Sequence, residues 1–337
     1  FLGTFALLLV PTTLMGATLP ILVSWGSRRA DLARVLGTLY AVNTAGAVIG
    51  TVLAGFILLP TIGLSATAMI AGVTSLTLGL AMVLAAGNVG EAARDGATKK
   101  APAAGAASPA AAHAAAAATT PDARPRRMRV LFALSGAVSL STQIAWSRVA
   151  GILLGSSVYS FSLVLATFLL GIAAGAALIV PLITKKGPSW RLFAVLQWIA
   201  AGGILYASIR IADAPWDLLS RIVMARGNVR GLWIQESLLL AGFMLPACLA
   251  FGAIFPVATR LSAFPGDTAS HTTGRAYGWN TFGTITGSLL AGFLLVHWLG
   301  MHGTLLGVAG VALVIGAVAW FAAPRPAKKR SSIPEGA

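Results

Sequence analysis

Polar side chains recur at matching places in two apolar stretches of the chain, GTLYAVNTAGAVIGTVLAGF and GRAYGWNTFGTITGSLLAGF. The matching polar residues are Tyr40, Asn43, Thr44, Tyr277, Asn280 and Thr281. Amides and hydroxyls in apolar surroundings cost free energy unless they are hydrogen-bonded. The pattern predicts either a solute-binding site shared by two helices or interhelical hydrogen bonds that fix their packing.

The two stretches belong to an internal duplication. Residues 37–63 and 274–300 align without a gap and share 12 of 27 residues. A second pair of similar segments lies upstream of the two copies: PTTLMGATLP (11–20) corresponds to PACLAFGAIFP (246–256), which has one residue inserted. Prolines interrupt both of these segments, and paired broken helices are typical of transport sites, although fixed kinks would give the same pattern.

Two further candidates stand in the stretch LSGAVSLSTQIAWSRVAGILLGSSVYSFS, which contains Gln143 and Arg148. A charged residue at the centre of a membrane costs about 2.5–3.5 kcal/mol, so we expect Arg148 to face a cavity or to reach the interface. No metal-ligand cluster, phosphate-binding loop or catalytic triad is apparent in the sequence. We therefore expect no metal, no cofactor and no catalytic residue in this chain.

The composition is that of a membrane protein. Of the 337 residues, 57% are hydrophobic and 10% are charged, too few charges to cover a water-soluble fold of this size. A net charge of +15 could suggest nucleic-acid binding, but lysine and arginine form short clusters between long apolar runs, as they do beside membrane spans. The expected partner is the lipid bilayer, and nucleic acid is excluded.

Nine stretches are long and apolar enough to cross a bilayer as helices, which need about 20 residues each. They are residues 1–25, 36–60, 64–87, 129–151, 158–183, 190–211, 234–259, 274–298 and 302–323. The nine acidic residues all lie outside the depths of these stretches, which argues against a proton-coupled pump. The predicted fold is an all-α, polytopic transmembrane bundle.

The basic residues predict the orientation of these spans. If alternate loops share one side, that side collects 19 of the 24 lysines and arginines, which makes it cytoplasmic. The linker and the C-terminus then lie in the cytoplasm of a bacterial-type inner membrane. Both copies of the duplication run the same way, so the repeat is parallel, like the two halves of major facilitator transporters.

Four segments follow from this arrangement. We expect the last three helices of a first repeat with the earlier helices missing, an Ala/Pro-rich linker, a complete six-helix second repeat and a basic tail. Their bounds are 1–87, 88–128, 129–323 and 324–337.

Small residues lie four apart along one helical face in each copy. They are Gly46, Gly50 and Ala54 in the first copy and Gly283, Gly287 and Ala291 in the second. Such ridges let helix backbones approach closely in lipid, so packing explains them without a ligand.

The Met-Gly-Ala-Thr-Leu-Pro and Asn-Thr-x-Gly motifs, together with the stretch around Gln143, resemble the membrane region of the fused transporter/spermidine-synthase family. In that family a helical region resembling a pair of major facilitator halves precedes a cytosolic aminopropyltransferase domain. The resemblance implies polyamine-related chemistry. Thr142 and Gln143 replace a Tyr-Glu pair that the family often carries, which removes a buried carboxylate, and the synthase domain has no counterpart here.

Three functions follow as hypotheses. The first is the membrane domain of a spermidine-synthase-like fusion protein, which binds or moves a small polar or polyamine-related solute. Its cavity would be lined by the duplicated Tyr, Asn and Thr, with Gln143 and Arg148 as second-rank candidates. The second is a stand-alone transporter of major facilitator type. The third is a membrane anchor that positions a cytosolic aminopropyltransferase.

Overall fold

The computed structural model of the chain describes residues 2–26, 32–97, 123–155, 157–225, 229–264 and 267–324. Within these ranges the secondary structure is helical, as the composition predicts. The α-helices are α1 (Leu2–Gly26), α2 (Leu32–Val52), α3 (Leu59–Ala97), α4 (Ala123–Leu153), α5 (Val158–Lys186), α6 (Trp190–Ala225), α7 (Val229–Leu261), α8 (Ala269–Leu289) and α9 (Val296–Phe321). Two π-helical segments join α2 to α3 and α8 to α9, namely π1 (Leu53–Leu58) and π2 (Leu290–Leu295).

Six helical segments of the described chain are long and apolar enough to cross a membrane. They are Thr38–Leu84, Pro125–Leu153, Val158–Lys186, Trp190–Ile211, Leu238–Leu261 and His271–Phe321. The first and the last contain 47 and 51 residues, about twice what one crossing needs, and each covers two of the predicted spans. The chain is therefore compatible with a multi-pass membrane protein, and the count of nine crossings stays a prediction.

The two copies of the duplication share an unusual local backbone. Each contains a π-helical segment at the same place, and each then breaks at a glycine in the left-handed region, Gly63 (φ 77°, ψ 177°) and Gly300 (φ 68°, ψ −179°). Only glycine adopts this conformation without strain. After each break a threonine hydroxyl donates to the glycine carbonyl, from Thr67 at 2.7 Å and from Thr304 at 2.6 Å. These breaks lie between the paired spans that the sequence predicts.

The chain divides into two compact units, Gly50–Ala123 and the remainder, Phe1–Ile49 with Arg124–Ala337. In the larger unit α7 lies at the centre, because glycines let it approach two neighbours. A Cβ at Gly175 or at Gly252 would collide with the backbone of the facing helix, at Leu249 and Ile172 respectively. Gly203 of α6 likewise lies close to the backbone of α7, at Ala247. The resulting core is mainly aliphatic and aromatic, with a few buried polar side chains such as Gln197 and Thr259.

The predicted linker and tail fall largely on residues 98–122 and 325–337, which lie outside the described residues. On either side of the linker the helices run further than expected, since α3 ends at Ala97 and α4 begins at Ala123. Pro125 is compatible with that early start, because the first turn of a helix needs no amide donors. Pro246 and Pro256 do not interrupt α7, which continues through both.

Candidate solute-binding site

The site is built on the close packing of α4 against α8. A Cβ at Gly283 would collide with the carbonyl of Ala133, and one at Gly287 with that of Ala137. One turn further along α4, the Ser141 hydroxyl donates to the Gly287 carbonyl at 2.9 Å. The glycine ridge of the second copy is therefore a packing surface, as its spacing predicts.

The same contact positions the amide of Asn280. Gly136 of α4 faces this side chain, and a Cβ at Gly136 would lie 2.6 Å from Asn280 Oδ1. Any larger residue at position 136 would push the amide away. The side chain of Asn280 is half-buried and lines a cavity between the helices.

This cavity, called here the aromatic cavity, has a volume of about 300 Å³. Six aromatic rings surround it: Tyr40, Phe132, Phe168, Phe251, Phe255 and Tyr277. Besides the two tyrosines, its described polar residues offer hydroxyls and one amide, from Ser135, Ser139, Asn280, Thr281 and Thr284. No charged side chain occurs among the described residues that line it. A cavity of this kind suits a small solute that offers hydrogen-bonding groups beside an apolar or weakly cationic part.

The two duplicated tyrosines meet at one phenylalanine of this cavity. Tyr40 of α2 stacks on Phe255 of α7, with ring centroids 4.1 Å apart and planes 4° apart. Tyr277 of α8 meets the same ring edge-on, with a centroid distance of 6.1 Å and an angle of 77°. Phe132 of α4 also approaches Phe255 edge-on, at 5.7 Å. Aromatic pairs prefer these geometries, which keep the wall of the cavity rigid.

The structure brings together four of the six duplicated candidates, Tyr40 and the three residues of the second copy. Asn43 is exposed, and neither Asn43 nor Thr44 belongs to the lining that is described. Thr44 is buried, and its hydroxyl donates to the Tyr40 carbonyl one turn earlier, at 2.7 Å. Among the described residues of α2, Tyr40 alone lines the cavity, whereas the second copy contributes several side chains.

Gln143 and Arg148 line a different cavity, called here the Arg148 cavity, of about 740 Å³. It lies further along α4, towards Leu153, and Leu140 is a wall of both cavities. Arg148 is exposed, and its Nη2 donates to the Gly292 carbonyl at 2.9 Å. The arginine faces a cavity, which is one of the two outcomes expected from the sequence.

A polar stripe along α4 connects the two cavities. Ser135, Ser139, Gln143 and Ser147 follow one another at intervals of four residues, so they lie close to one line along the helix. The first two line the aromatic cavity, and the last two line the Arg148 cavity. On α8, Thr284 faces the first cavity and Ser288 the second, one turn apart. The seam between α4 and α8 therefore offers polar groups along the length of both cavities.

No protein-family model, no curated protein and no solved structure matches this chain. The geometry of the two cavities thus provides the evidence on function.

Several lining residues were not among the candidates that the sequence analysis selected. The phenylalanines carry no signal of their own, because apolar residues at these positions are equally expected in a helix core. The serines did carry one, since Ser135 and Ser139 continue the spacing of Gln143 towards the start of α4. Four polar residues at intervals of four in an apolar helix are themselves a candidate binding face.

Proposed function

We propose that this protein is a membrane carrier that binds a small polar solute in the aromatic cavity and passes it along the polar stripe of α4. The observation that carries the proposal is that stripe, because its four side chains line two cavities that share Leu140 as a wall. Polar groups placed along one face of a membrane helix are costly and typically mark a substrate path.

The chemistry of the lining defines the class of solute. Hydroxyls and the Asn280 amide can both donate and accept hydrogen bonds, while the six rings offer apolar and electron-rich faces. No described carboxylate lines the cavity to balance a charge. These features favour a neutral polar solute or a monoamine, whereas a dication such as putrescine would lack a counter-charge. The resemblance to the spermidine-synthase fusion family makes amines the first compounds to test.

The arrangement of the basic residues supports an inner-membrane protein whose C-terminal end is cytoplasmic. Among the described residues, basic side chains cluster where α5 ends and α6 begins, where α7 ends and α8 begins, and where α4 begins. They are Arg126, Arg127, Arg129, Lys185, Lys186, Arg191, Arg260 and Arg275. Successive membrane helices alternate in direction, so these ends share one side, and the positive-inside rule makes it cytoplasmic.

Uptake into vesicles tests the proposal. The purified chain, reconstituted in proteoliposomes, is offered a radiolabelled neutral polyol, a monoamine and putrescine. We expect accumulation of the polyol or the monoamine above that of empty vesicles, and its loss in Leu140→Trp, whose larger indole would fill space at the wall that the two cavities share. Leu306→Trp is the control, because Leu306 is an exposed α9 residue that lines neither cavity.

Two outcomes would contradict the carrier. One is the absence of uptake of all three solutes by the folded protein, which would leave the anchor hypothesis. The other is uptake that Leu140→Trp and Leu306→Trp reduce equally, which would show that the solute does not pass Leu140.

A further inference from the structure

Among its described lining residues, the Arg148 cavity has one charged side chain on an otherwise polar and apolar wall. Its polar groups are Gln143, Ser147, Arg148 and Ser288, and the rest of its wall is largely aliphatic and aromatic, including Ile152 and Phe161. No acidic residue occurs in the lining that the structure describes, and no described carboxylate pairs with the guanidinium. The cavity therefore carries an uncompensated positive charge beside an apolar surface.

The guanidinium is held in place by the π-helical segment. Gly292, whose carbonyl accepts from Arg148 Nη2, lies within π2. The bond therefore ties the arginine of α4 to the widened π-helical turn. This bond fixes one end of the fork, and the remaining N–H donors of the exposed side chain stay available to a ligand.

Neighbouring side chains add donors of the same kind. The Gln143 amide and the Ser147 hydroxyl lie one turn from each other on α4 and border the same cavity. The Ser288 hydroxyl, in contrast, donates to the Ile285 carbonyl at 2.8 Å and has only its lone pairs to offer. The donors thus gather on the α4 side, around the arginine.

We propose that this cavity binds the anionic head group of an amphiphile, with a phosphate oxygen pair on the Arg148 guanidinium and an acyl chain along the apolar wall. A planar guanidinium matches a phosphate with two parallel hydrogen bonds. Arg148 lies five residues before the end of its membrane segment at Leu153, roughly 8 Å along the helix axis, a depth that head groups of the nearer leaflet can reach. The inference does not depend on solute binding in the aromatic cavity, although a lipid here would occupy Gln143 and Ser147 at the end of the proposed solute path.

Native mass spectrometry of the detergent-purified full chain tests the site. Phosphatidylglycerol and phosphatidylcholine with identical acyl chains are titrated separately. We expect one phosphatidylglycerol to bind in clear preference to phosphatidylcholine, and Arg148→Gln to weaken that binding about tenfold, the loss of one charge-assisted contact. Arg148→Lys keeps the charge without the fork and should weaken it less. Arg210→Gln is the control, since Arg210 already pairs with Asp213 and Asp217 outside this cavity.

A second variant separates a lipid from a free anion and does not depend on the fold of Arg148→Gln. Ile152 is 69% exposed at the apolar wall, so Ile152→Trp should fold and obstruct the acyl chain while leaving the guanidinium free. We expect it to reduce phosphatidylglycerol binding. The amphiphile proposal would be wrong if Ile152→Trp bound phosphatidylglycerol as tightly as the parent protein and inorganic phosphate displaced the lipid. That result would indicate a site for a free anion. Equal phosphatidylglycerol binding by the parent protein and Arg148→Gln would overturn the site.

Discussion

Tyr40 of α2 and Phe255 of α7 stack with their ring centroids 4.1 Å apart. On the other side of the duplication, Tyr277 of α8 approaches Gly16 of α1, with its Cε1 3.9 Å from the position of a Cβ there. In the internal duplication α1 corresponds to α7, and α2 corresponds to α8. Tyr40 of the first copy therefore contacts α7 of the second copy, and Tyr277 of the second copy lies beside α1 of the first. Each of these contacts thus joins one sequence copy to the other, while the parallel direction of the repeat stays a prediction.

The stack should contribute an energy beyond the burial of its two rings. In a double-mutant cycle, Tyr40→Ala and Phe255→Ala should show a coupling of about 0.5–1.5 kcal/mol, because removal of either ring abolishes the contact. Unfolding in mixed micelles of increasing SDS content supplies the free energies. Tyr206 lies on α6 and is 45% exposed, so Tyr206→Ala with Phe255→Ala should be additive. Additivity for the Tyr40 pair would mean that the rings do not interact.

The contact between α8 and α4 predicts a large difference between two glycines of the same helix. Gly283→Ala should lower the free energy of unfolding by about 2 kcal/mol or more, because its methyl group meets the backbone of Ala133 and the helices must separate. Gly278→Ala should be neutral or slightly stabilising, since nothing lies within 4 Å of its Cβ position and alanine favours the helix. Thermal unfolding in detergent compares the two. Equal midpoints for both variants would place α4 elsewhere.

The break at Gly300 predicts that a substitution there lowers the free energy of unfolding through backbone strain alone. Gly300→Ala should destabilise by about 1–3 kcal/mol, because alanine is strained at φ 68° although no atom lies within 4 Å of its Cβ. Gly310→Ala, further along α9 and also without a neighbour at that distance, should be neutral or stabilising. The same thermal measurement applies. If Gly300→Ala were as stable as Gly310→Ala, α9 would run straight through position 300.

Much of the fold could be predicted from the sequence because apolar length and repetition are local signals. The described structure is helical over the apolar stretches, and Gly63 and Gly300 end the two copies where the sequence match also ends. The packing role of Gly283 could likewise be predicted, because a small-residue ridge allows close approach to any neighbouring helix. What the ridge does not specify is whether such a neighbour is present. Gly46, its counterpart, has no atom within 4 Å of its Cβ position among the described residues.

The residues that form the site were harder to predict, because residues that are identical in the two copies have different neighbours in the structure. Asn280 faces a cavity since Gly136 of α4 makes room beside it, whereas Asn43 is exposed. Symmetry in the sequence therefore overestimates symmetry in the site. Gln143 and Asn280 line two different cavities that share Leu140 as a wall, and this division depends on how α4 packs against its neighbours, which no local pattern encodes.

Labelling of single cysteines tests the orientation on which the proposed carrier depends. The natural Cys248 is fully buried and packs against Gly171, so the native protein should resist thiol reagents until it is denatured. It therefore provides an unlabelled background for introduced cysteines. Val158→Cys and Lys186→Cys place a thiol at each end of α5, at positions that are exposed.

In inside-out vesicles, an impermeant maleimide should label Lys186→Cys but not Val158→Cys, and in right-side-out vesicles the reverse. Ala323→Cys, beyond the end of α9, should follow Lys186→Cys, because α6 to α9 return the chain to the same side if α8 and α9 each cross once. This assignment follows from the basic residues at these ends and from the break at Gly300, which turns one 51-residue segment into two crossings. Labelling of Ala323→Cys from the side opposite to Lys186→Cys would mean an odd number of crossings between them. The two copies of the duplication could then not be related as proposed, although the packing of α4 on α8 would be unaffected.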